Sequence, residues 1–230
     1  MSDRIVKFIP ALDTTDLDEA LQLVSKVDAH PAVYGYKVGF GLGLVHGLPK
    51  VVAEIRMCSK RPIIYDHQKA GTDIPDTGSL FAKTLAQAGI DEAIIFSHAG
   101  PQTQAAWIKA LQQAGLKVIV GAVMTHPGFL VSEGGFLVDD KVLDAYKLAA
   151  LAGVRAFVAP LTKPGIIEAI VKRIGKEGAW EFYTPGLGTQ GGSAQGYDLL
   201  KRHYAIVGRS LLAAPDPYTY LANLLANSGA

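Results

Sequence analysis

Eight short apolar runs, separated by stretches with helical periodicity, constrain the fold of this chain more than any other feature. The runs are Ile5–Leu12, Val33–Val38, Pro62–Tyr65, Glu92–Phe96, Lys117–Met124, Ala156–Ala159, Trp180–Tyr183 and Tyr204–Val207. Most are apolar throughout rather than alternating. That pattern is typical of parallel strands that are covered on one face and packed on the other. We therefore predict eight strands.

The stretches between the runs predict helices that begin and end at recognisable residues. Asp13-Thr14-Thr15-Asp16 is an N-cap cluster, and an apolar pattern at helical spacing follows it from Leu17 to Val24. Three further helical patterns end at Gly89, Gly115 and Gly153. Strands and helices therefore alternate along the chain.

Eight such units in 230 residues predict a compact (β/α)8 barrel of the α/β class. The competing architecture is a doubly wound open sheet. It usually has fewer strands at this length, and no G-x-G-x-x-G pattern follows the first strand. No linker or low-complexity tract divides the chain, so we expect residues 1–230 to form one domain.

Composition excludes several classes of protein. Hydrophobic residues make up 49% and charged residues 19% of the chain, which excludes a disordered polypeptide. The net charge of +1 gives no indication of binding to nucleic acid or to a membrane surface. With no targeting segment and no apolar run of about 20 residues, a cytoplasmic enzyme is the expectation. Cys58, the one cysteine, excludes an internal disulfide and is expected to be a buried structural thiol.

Charged residues collect at the predicted carboxyl ends of the strands, where barrels place their chemistry. They are Asp13, Lys37, Asp66, Lys69 and Asp73. Each alone is typical of a solvated loop, and Asp13 alone of an N-cap. Together they would converge on one mouth, where alternating lysines and aspartates neutralise one another.

The last two predicted strands run into glycine-rich segments that indicate an anion site. Gly186, Gly188, Gly191 and Gly192 follow the seventh strand, and Gly208-Arg209-Ser210 follows the eighth and precedes a short helical stretch, Ser210–Ala213. Loops in these two positions form the recurrent phosphate site of barrels, and an arginine suits phosphate oxygens. The alternative is that the glycines only make turns.

The histidines do not predict a metal site. His30, His46 and His203 fall in predicted helix-end or loop positions and are expected to be structural. His67, His98 and His126 fall at strand ends, His126 in a turn. With Asp66 they could be metal ligands, but their spacing matches no metal motif and the neighbouring lysines would repel a cation.

Six segments in register resemble the orotidine 5′-phosphate decarboxylase family. They are Ala11-Leu12-Asp13, Tyr36-Lys37-Val38-Gly39, Asp66 to Pro75, Met124 to Gly128, Pro185 to Gly192 and Val207 to Ser210. The resemblance spans nearly the whole chain. It implies a homodimeric (β/α)8 barrel that converts orotidine 5′-monophosphate to uridine 5′-monophosphate and CO2 with neither metal nor organic cofactor.

The central motif departs from the family pattern Asp-x-Lys-x-x-Asp. Here two residues separate Asp66 from Lys69, and three separate Lys69 from Asp73. In an extended strand Gln68, rather than Lys69, would share the face of Asp66. Thr125 stands where many members have serine, and it keeps a hydroxyl.

The resemblance also implies a role for each site residue. Lys69 stabilises and protonates the C6 carbanion beside Asp66, and Asp73 and Thr77 reach the partner subunit's site. Asp13 and Lys37 hold the ribose, with Lys37 also in the catalytic charged row, and Thr125 binds the pyrimidine edge. The remaining substrate contacts are Pro185, Gln190, Gly191, Gly208 and Arg209, the last four around the phosphate. The segment from Gly186 to Tyr197 is expected to close over the ligand.

Two other functions fit the same barrel. One is a Mg2+-dependent sugar-phosphate decarboxylase or aldolase, a sister family in which a glutamate on the second strand binds the metal. Lys37 occupies that strand here, and its ammonium disfavours a cation. The other is a catalytically silent phosphate-binding barrel, which would have lost part of the charged array.

Overall fold

The computed structural model describes residues 5–67, 73–163, 165–176, 178–186 and 200–228. Eight parallel strands pair in chain order and close into a barrel, β8 pairing with β1. The strands are β1 Ile5–Leu12, β2 Tyr36–Gly39, β3 Ile63–Asp66, β4 Glu92–Phe96, β5 Lys117–Gly121, β6 Ala156–Val158, β7 Glu181–Pro185 and β8 Arg202–Val207. The predicted (β/α)8 barrel is confirmed.

Helices cover the outside of the barrel. In the described residues they are α1 Leu17–Val27, α2 Phe40–Leu42, α3 Leu48–Cys58, α4 Thr77–Gln87, α5 Pro101–Gln113, α6 Asp139–Leu151, α7 Ile166–Ile174, α8 Arg209–Leu212 and α9 Pro217–Asn227. A π-helical turn, Gly43–Gly47, joins α2 to α3. Asp16 caps α1 as predicted, its carboxylate accepting the N–H groups of Asp18 and Glu19. None of the described helices is long and apolar enough to cross a membrane.

The core has two compartments because successive strand residues face opposite sides of the sheet. One compartment lies between sheet and helices. The other fills the barrel with alternate strand residues such as Ile9, Ile64, Ile94 and Ile119. The interior is therefore packed, and space for a ligand remains at an end.

The predicted end of the fifth strand and the predicted burial of Cys58 are both wrong. The fifth strand ends at Gly121 instead of Met124, because the N–H groups of Ala122 and Val123 donate to the hydroxyl of Tyr146. Cys58 is exposed rather than buried. It is the last residue of α3, beyond the turns that bury Val51, Val52 and Ile55.

A lysine surrounded by aromatic rings closes the amino end of the barrel. The ammonium of Lys117, at the start of β5, lies 5.4 Å from the ring centres of Tyr34 and Tyr183 and 5.6 Å from that of Tyr204. These distances are within the range of cation–π attraction. We call this group, with the two glutamates described next, the barrel floor.

Two glutamates neutralise the floor lysine. The Lys117 ammonium lies 2.6 Å from Glu181 Oε2 and 3.7 Å from Glu92 Oε1. Tyr183 donates a hydrogen bond of 3.1 Å to Glu92, and Tyr34 donates another. Burial nevertheless raises the pKa of Glu92 above its usual range, although Lys117 and the tyrosines oppose the shift. Lys117, Tyr34 and Tyr183 thus all favour the ionised form of Glu92.

We expect Lys117→Met to lower the free energy of unfolding by roughly 2–3 kcal/mol. This is below the usual cost of breaking a fully buried pair because Lys117 is partly exposed. Urea unfolding at neutral pH measures the loss, and Lys117→Met with Glu92→Gln should recover part of it. The exposed Lys147→Met, which removes the same charge, is the control and should change stability by less than about 0.5 kcal/mol. Equal effects of the two single substitutions would contradict this account.

Candidate active site

A cavity of about 290 Å³ opens at the carboxyl ends of the strands. Asp13, Lys37 and Asp66 line it together with apolar residues from the opposite strands. The apolar lining consists of Ile94, Phe96, Val123, Met124, Val158, Pro185 and Ile206, and Thr125 adds a hydroxyl. The cavity therefore combines charged and apolar lining residues, as small-molecule binding sites commonly do.

Strand register places the three charged residues together. Lys37 lies on β2 between β1 and β3, paired with Ala11 on one side and Ile64 on the other. Asp13 follows Ala11 by two residues and Asp66 follows Ile64 by two, so each shares the face of its paired residue. Of the five charged residues predicted to converge, the structure brings together three, which are Asp13, Lys37 and Asp66.

Lys37 bridges the two carboxylates. Its ammonium donates a hydrogen bond of 2.8 Å to Asp13 Oδ1 and lies 3.4 Å from Asp66 Oδ2. Burial alone would lower the pKa of Lys37, which is 4% exposed, but the charges of Asp66 and Asp13 outweigh it and raise that pKa. Lys37 is therefore a cation at neutral pH, and both carboxylates interact with its charge.

The carboxyl end of β8 lies beside this cluster. A Cβ on Gly208 would lie in ordinary van der Waals contact with Asp13 Oδ2, at 3.4 Å, so the Gly208 backbone lies next to this carboxylate. Arg209 begins α8 and is exposed. Pro185, at the end of β7, and Ile206, on β8, line the same cavity. The structure thus brings Pro185 and Gly208 to the mouth, with Arg209 directly after Gly208.

Several predicted site residues lie outside the described residues. They are Lys69, Gln190, Gly191 and, apart from Gly186, the segment from Gly186 to Tyr197 that the sequence predicts to close over the ligand. Their predicted roles stay predictions. The short helix expected at Ser210–Ala213 is observed at Arg209–Leu212.

Asp73 and Thr77 are described, and neither lines the mouth cavity of its own chain. Asp73 is exposed, and its carboxylate accepts the N–H of Ile74 at 2.8 Å. The Thr77 hydroxyl and the Trp107 indole N–H both donate to the carbonyl of Ile74. Trp107 therefore fixes the start of α4, while the Asp73 carboxylate remains at the surface.

The strand-end histidines have structural contacts. His67 bonds to the hydroxyl of Tyr65, and His98 Nε2 lies 3.0 Å from the carbonyl of Ala122. His126 stacks edge-on against Phe129. Within the described part of the chain, no group of three His, Cys, Asp or Glu side chains is arranged to hold a metal ion.

The other three histidines also make structural contacts. His203 lies within β8, not in a loop as predicted, and its Nε2 lies 2.6 Å from the Thr184 hydroxyl. His30 accepts the N–H of Ala32, and His46 Nε2 lies 2.8 Å from the carbonyl of Thr15.

Sequence reasoning missed the residues that hold the segment after β5, which carries Thr125. Thr162 donates to the Thr125 carbonyl at 3.1 Å, and Lys163 forms an ion pair with Glu133. Lys163 lies 30 residues from Glu133 in the chain. No local periodicity indicates such a pairing.

The fold and the site define a class: a parallel (β/α)8 barrel with a charged pocket at its carboxyl mouth. The chain belongs to the Orotidine 5′-phosphate decarboxylase / HUMPS family, whose model matches residues 7–223. The resemblance stated from the sequence motifs is thereby confirmed.

Similarity to named proteins supports membership of this family. The orotidine 5′-phosphate decarboxylase of Methanosarcina mazei is 33% identical over 215 residues, covering 94% of this chain and 91% of that protein. The corresponding protein of Thermococcus kodakarensis is 31% identical over 211 residues, covering 92% and 91%. The crystal structure of the Methanocaldococcus jannaschii orotidine 5′-monophosphate decarboxylase with the inhibitor BMP superposes with a TM-score of 0.84. The two chains share 28% identity, with 99% of this chain and 100% of that chain covered.

We expect Lys37→Met to lower the free energy of unfolding by roughly 3 kcal/mol near neutral pH, because it leaves two carboxylates in the mouth without their cation. The pKa of Lys37 is raised by folding, so its stabilising contribution is complete below its ordinary value of 10.5 and is lost as pH rises above it. The difference between wild type and Lys37→Met should therefore be constant from neutral pH to about pH 10 and shrink beyond.

Urea unfolding across this pH range measures the difference, with the exposed Lys60→Met as control. A difference that grows at alkaline pH, or one that Lys60→Met reproduces, would refute the assignment.

Proposed function

We propose that this chain decarboxylates orotidine 5′-monophosphate to uridine 5′-monophosphate and CO2, a step of pyrimidine biosynthesis, without a metal or an organic cofactor. The observation that carries the proposal is the buried Lys37 ammonium between Asp13 and Asp66, at the mouth of a barrel of this family. The apolar lining suits the pyrimidine ring, and the charged residues suit the reacting carboxylate and the ribose.

The proposed reaction is a heterolytic bond cleavage followed by a proton transfer. The bond from C6 to the carboxylate breaks, CO2 leaves, and the electron pair stays on C6. The Lys69 ammonium stabilises this pair and then donates a proton to C6, which gives the product. Neutral Lys69 regains a proton from water.

Electrostatics would supply much of the rate. One opposite charge at about 4 Å contributes about 4 kcal/mol at an effective dielectric constant of 20. Asp66, whose side chain is 15% exposed in the mouth, would keep Lys69 protonated and lie beside the departing carboxylate. Preorganised neighbours and phosphate binding would supply the rest.

The remaining contacts follow from position. Asp13 and Lys37 would bind the ribose hydroxyls, and Thr125 the pyrimidine edge. Gly208 and Arg209, next to Asp13, would bind the phosphate with Gln190 and Gly191, and Pro185 would contact the substrate. Both carboxylates near Lys37 already neutralise an ammonium, which disfavours a Mg2+ ion there.

The active unit would be a homodimer of chains that each form one domain, in the cytoplasm. Phe136, 99% exposed, borders a second cavity of about 480 Å³ that is largely apolar and lies beside α5 and α6. An exposed ring beside an apolar cavity would form a self-complementary pair across a twofold interface. Asp73 and Thr77 would reach the partner subunit's site.

The test of function is turnover of orotidine 5′-monophosphate, followed by its loss of absorbance. We expect activity that a chelator leaves unchanged. Lys69→Ala should lower kcat by about a thousandfold or more, because it removes both charge stabilisation and the general acid. The exposed Lys60→Ala is the matched control. Near-wild-type kcat in Lys69→Ala would remove that residue from the mechanism, and loss of activity with chelator would favour the metal-dependent sister reaction.

A second test addresses the shared site. Lys69→Ala and Asp73→Asn chains, each inactive alone, should regain about one quarter of the wild-type activity when mixed and allowed to exchange subunits. Half of the dimers would be mixed, and each mixed dimer would have one site with both native residues. The control variant Asp76→Asn, three residues after Asp73, should be active without mixing. No recovery in heterodimers shown to form would place Asp73 in the site of its own chain.

A further inference from the structure

The segment from Ala122 to Val138, here called the base-side loop, forms part of the cavity lining. Val123, Met124 and Thr125 line the cavity, yet they lie beyond the end of β5. Sheet hydrogen bonds therefore do not fix them. A long loop would lose conformational entropy on binding a ligand unless other contacts order it beforehand.

The first part of the loop is fixed by a buried tyrosine. The Tyr146 hydroxyl accepts the N–H groups of Ala122 and Val123 at 3.2 and 3.1 Å and donates to the carbonyl of Val158 at 2.8 Å. Burial raises the pKa of Tyr146 to about 12, so the hydroxyl keeps the proton that it donates. The exit from β5 is thereby held to β6.

Thr125, the residue that would contact the base, is held by a residue that follows β6. Thr162, in the connection from β6 to α7, donates to the Thr125 carbonyl at 3.1 Å. This bond holds the backbone of Thr125, a residue that lines the cavity, and does not involve its hydroxyl.

Lys163, which follows Thr162 in the connection from β6 to α7, holds the later part of the base-side loop. Glu133 accepts the N–H groups of Phe129 and Leu130 at 3.1 and 3.4 Å and forms an ion pair with Lys163. The Lys163 hydrogen bond holds the pKa of Glu133 below its usual range. The Lys163 side chain is 11% exposed, and its ammonium lies 5.7 Å from the ring centre of Phe129.

We propose that Thr162 and Lys163 are positioning residues that hold the base-side loop in its ligand-binding conformation, so that Thr125 meets the pyrimidine ring without prior rearrangement. The inference rests on the proposed function. Neither residue lines the mouth cavity, so both act through the loop.

The experiment compares two inhibitors of orotidine 5′-monophosphate turnover, one with the base and one without. We expect Thr162→Val to raise the inhibition constant of uridine 5′-monophosphate about tenfold, and Lys163→Met to do the same. The inhibition constant of ribose 5-phosphate, which lacks the base, should stay within about twofold in both. Thr162→Ser and Lys163→Arg should restore binding of the nucleotide, because each keeps the donor.

Two further variants complete the design. Lys172→Met, on the exposed face of α7, removes the same charge as Lys163→Met and should change neither constant. Glu133→Gln combined with Lys163→Met should be no worse than the more severe single variant, since the two residues act as one pair.

The outcomes separate this inference from the proposed function. A wild-type chain without turnover refutes both. A wild-type chain with turnover, whose variants weaken both inhibitors equally or weaken neither, refutes the positioning role alone. Failure of Thr162→Ser to restore nucleotide binding also refutes it, because the serine keeps the hydroxyl.

Discussion

The ion cluster of Lys37 with Asp13 and Asp66 is the interaction on which the site depends. Residues on or directly after three neighbouring strands each bring one charge to the mouth, and the buried ammonium of Lys37 would not be stable there without the carboxylates. Burial of an ammonium is offset by two carboxylates, and each carboxylate is held by the same ammonium. The barrel register therefore fixes the electrostatics of the site, because a shift of one residue in β2 would turn Lys37 to the other face.

The two ends of the barrel stabilise a lysine ammonium in different ways. At the mouth, Lys37 is balanced by carboxylates and a cavity remains open. At the barrel floor, Lys117 is balanced by two carboxylates and lies against three tyrosine rings. Isoleucines from β1, β3, β4 and β5 help to fill the interior between the two ends. One end is thus packed for stability, and the other keeps its charges near a space that a ligand fits.

The base-side loop shows how the chemistry of the mouth extends beyond the strands. Thr125 belongs to the site because it lines the cavity, but its position is set by Thr162 and by the contacts of Tyr146 at the start of the loop. Contacts outside the cavity therefore order residues inside it. That arrangement lowers the entropy that a ligand must overcome when it binds.

The sequence by itself determined the strands and helices, and the end of the barrel at which the charged residues meet. Apolar runs, the Asp16 cap and the glycine stops are local signals, and strand ends in a parallel barrel meet at one face, so the residue order alone places Asp13, Lys37 and Asp66 together. Tertiary structure alone decided the exposure of Cys58, the end of β5 at Tyr146 and the pairing of Glu133 with Lys163. It also decided the barrel floor, where Tyr183 meets Glu92 across 91 residues of chain. The reason is physical: periodicity and caps are read within a few residues, whereas these contacts depend on how distant elements pack.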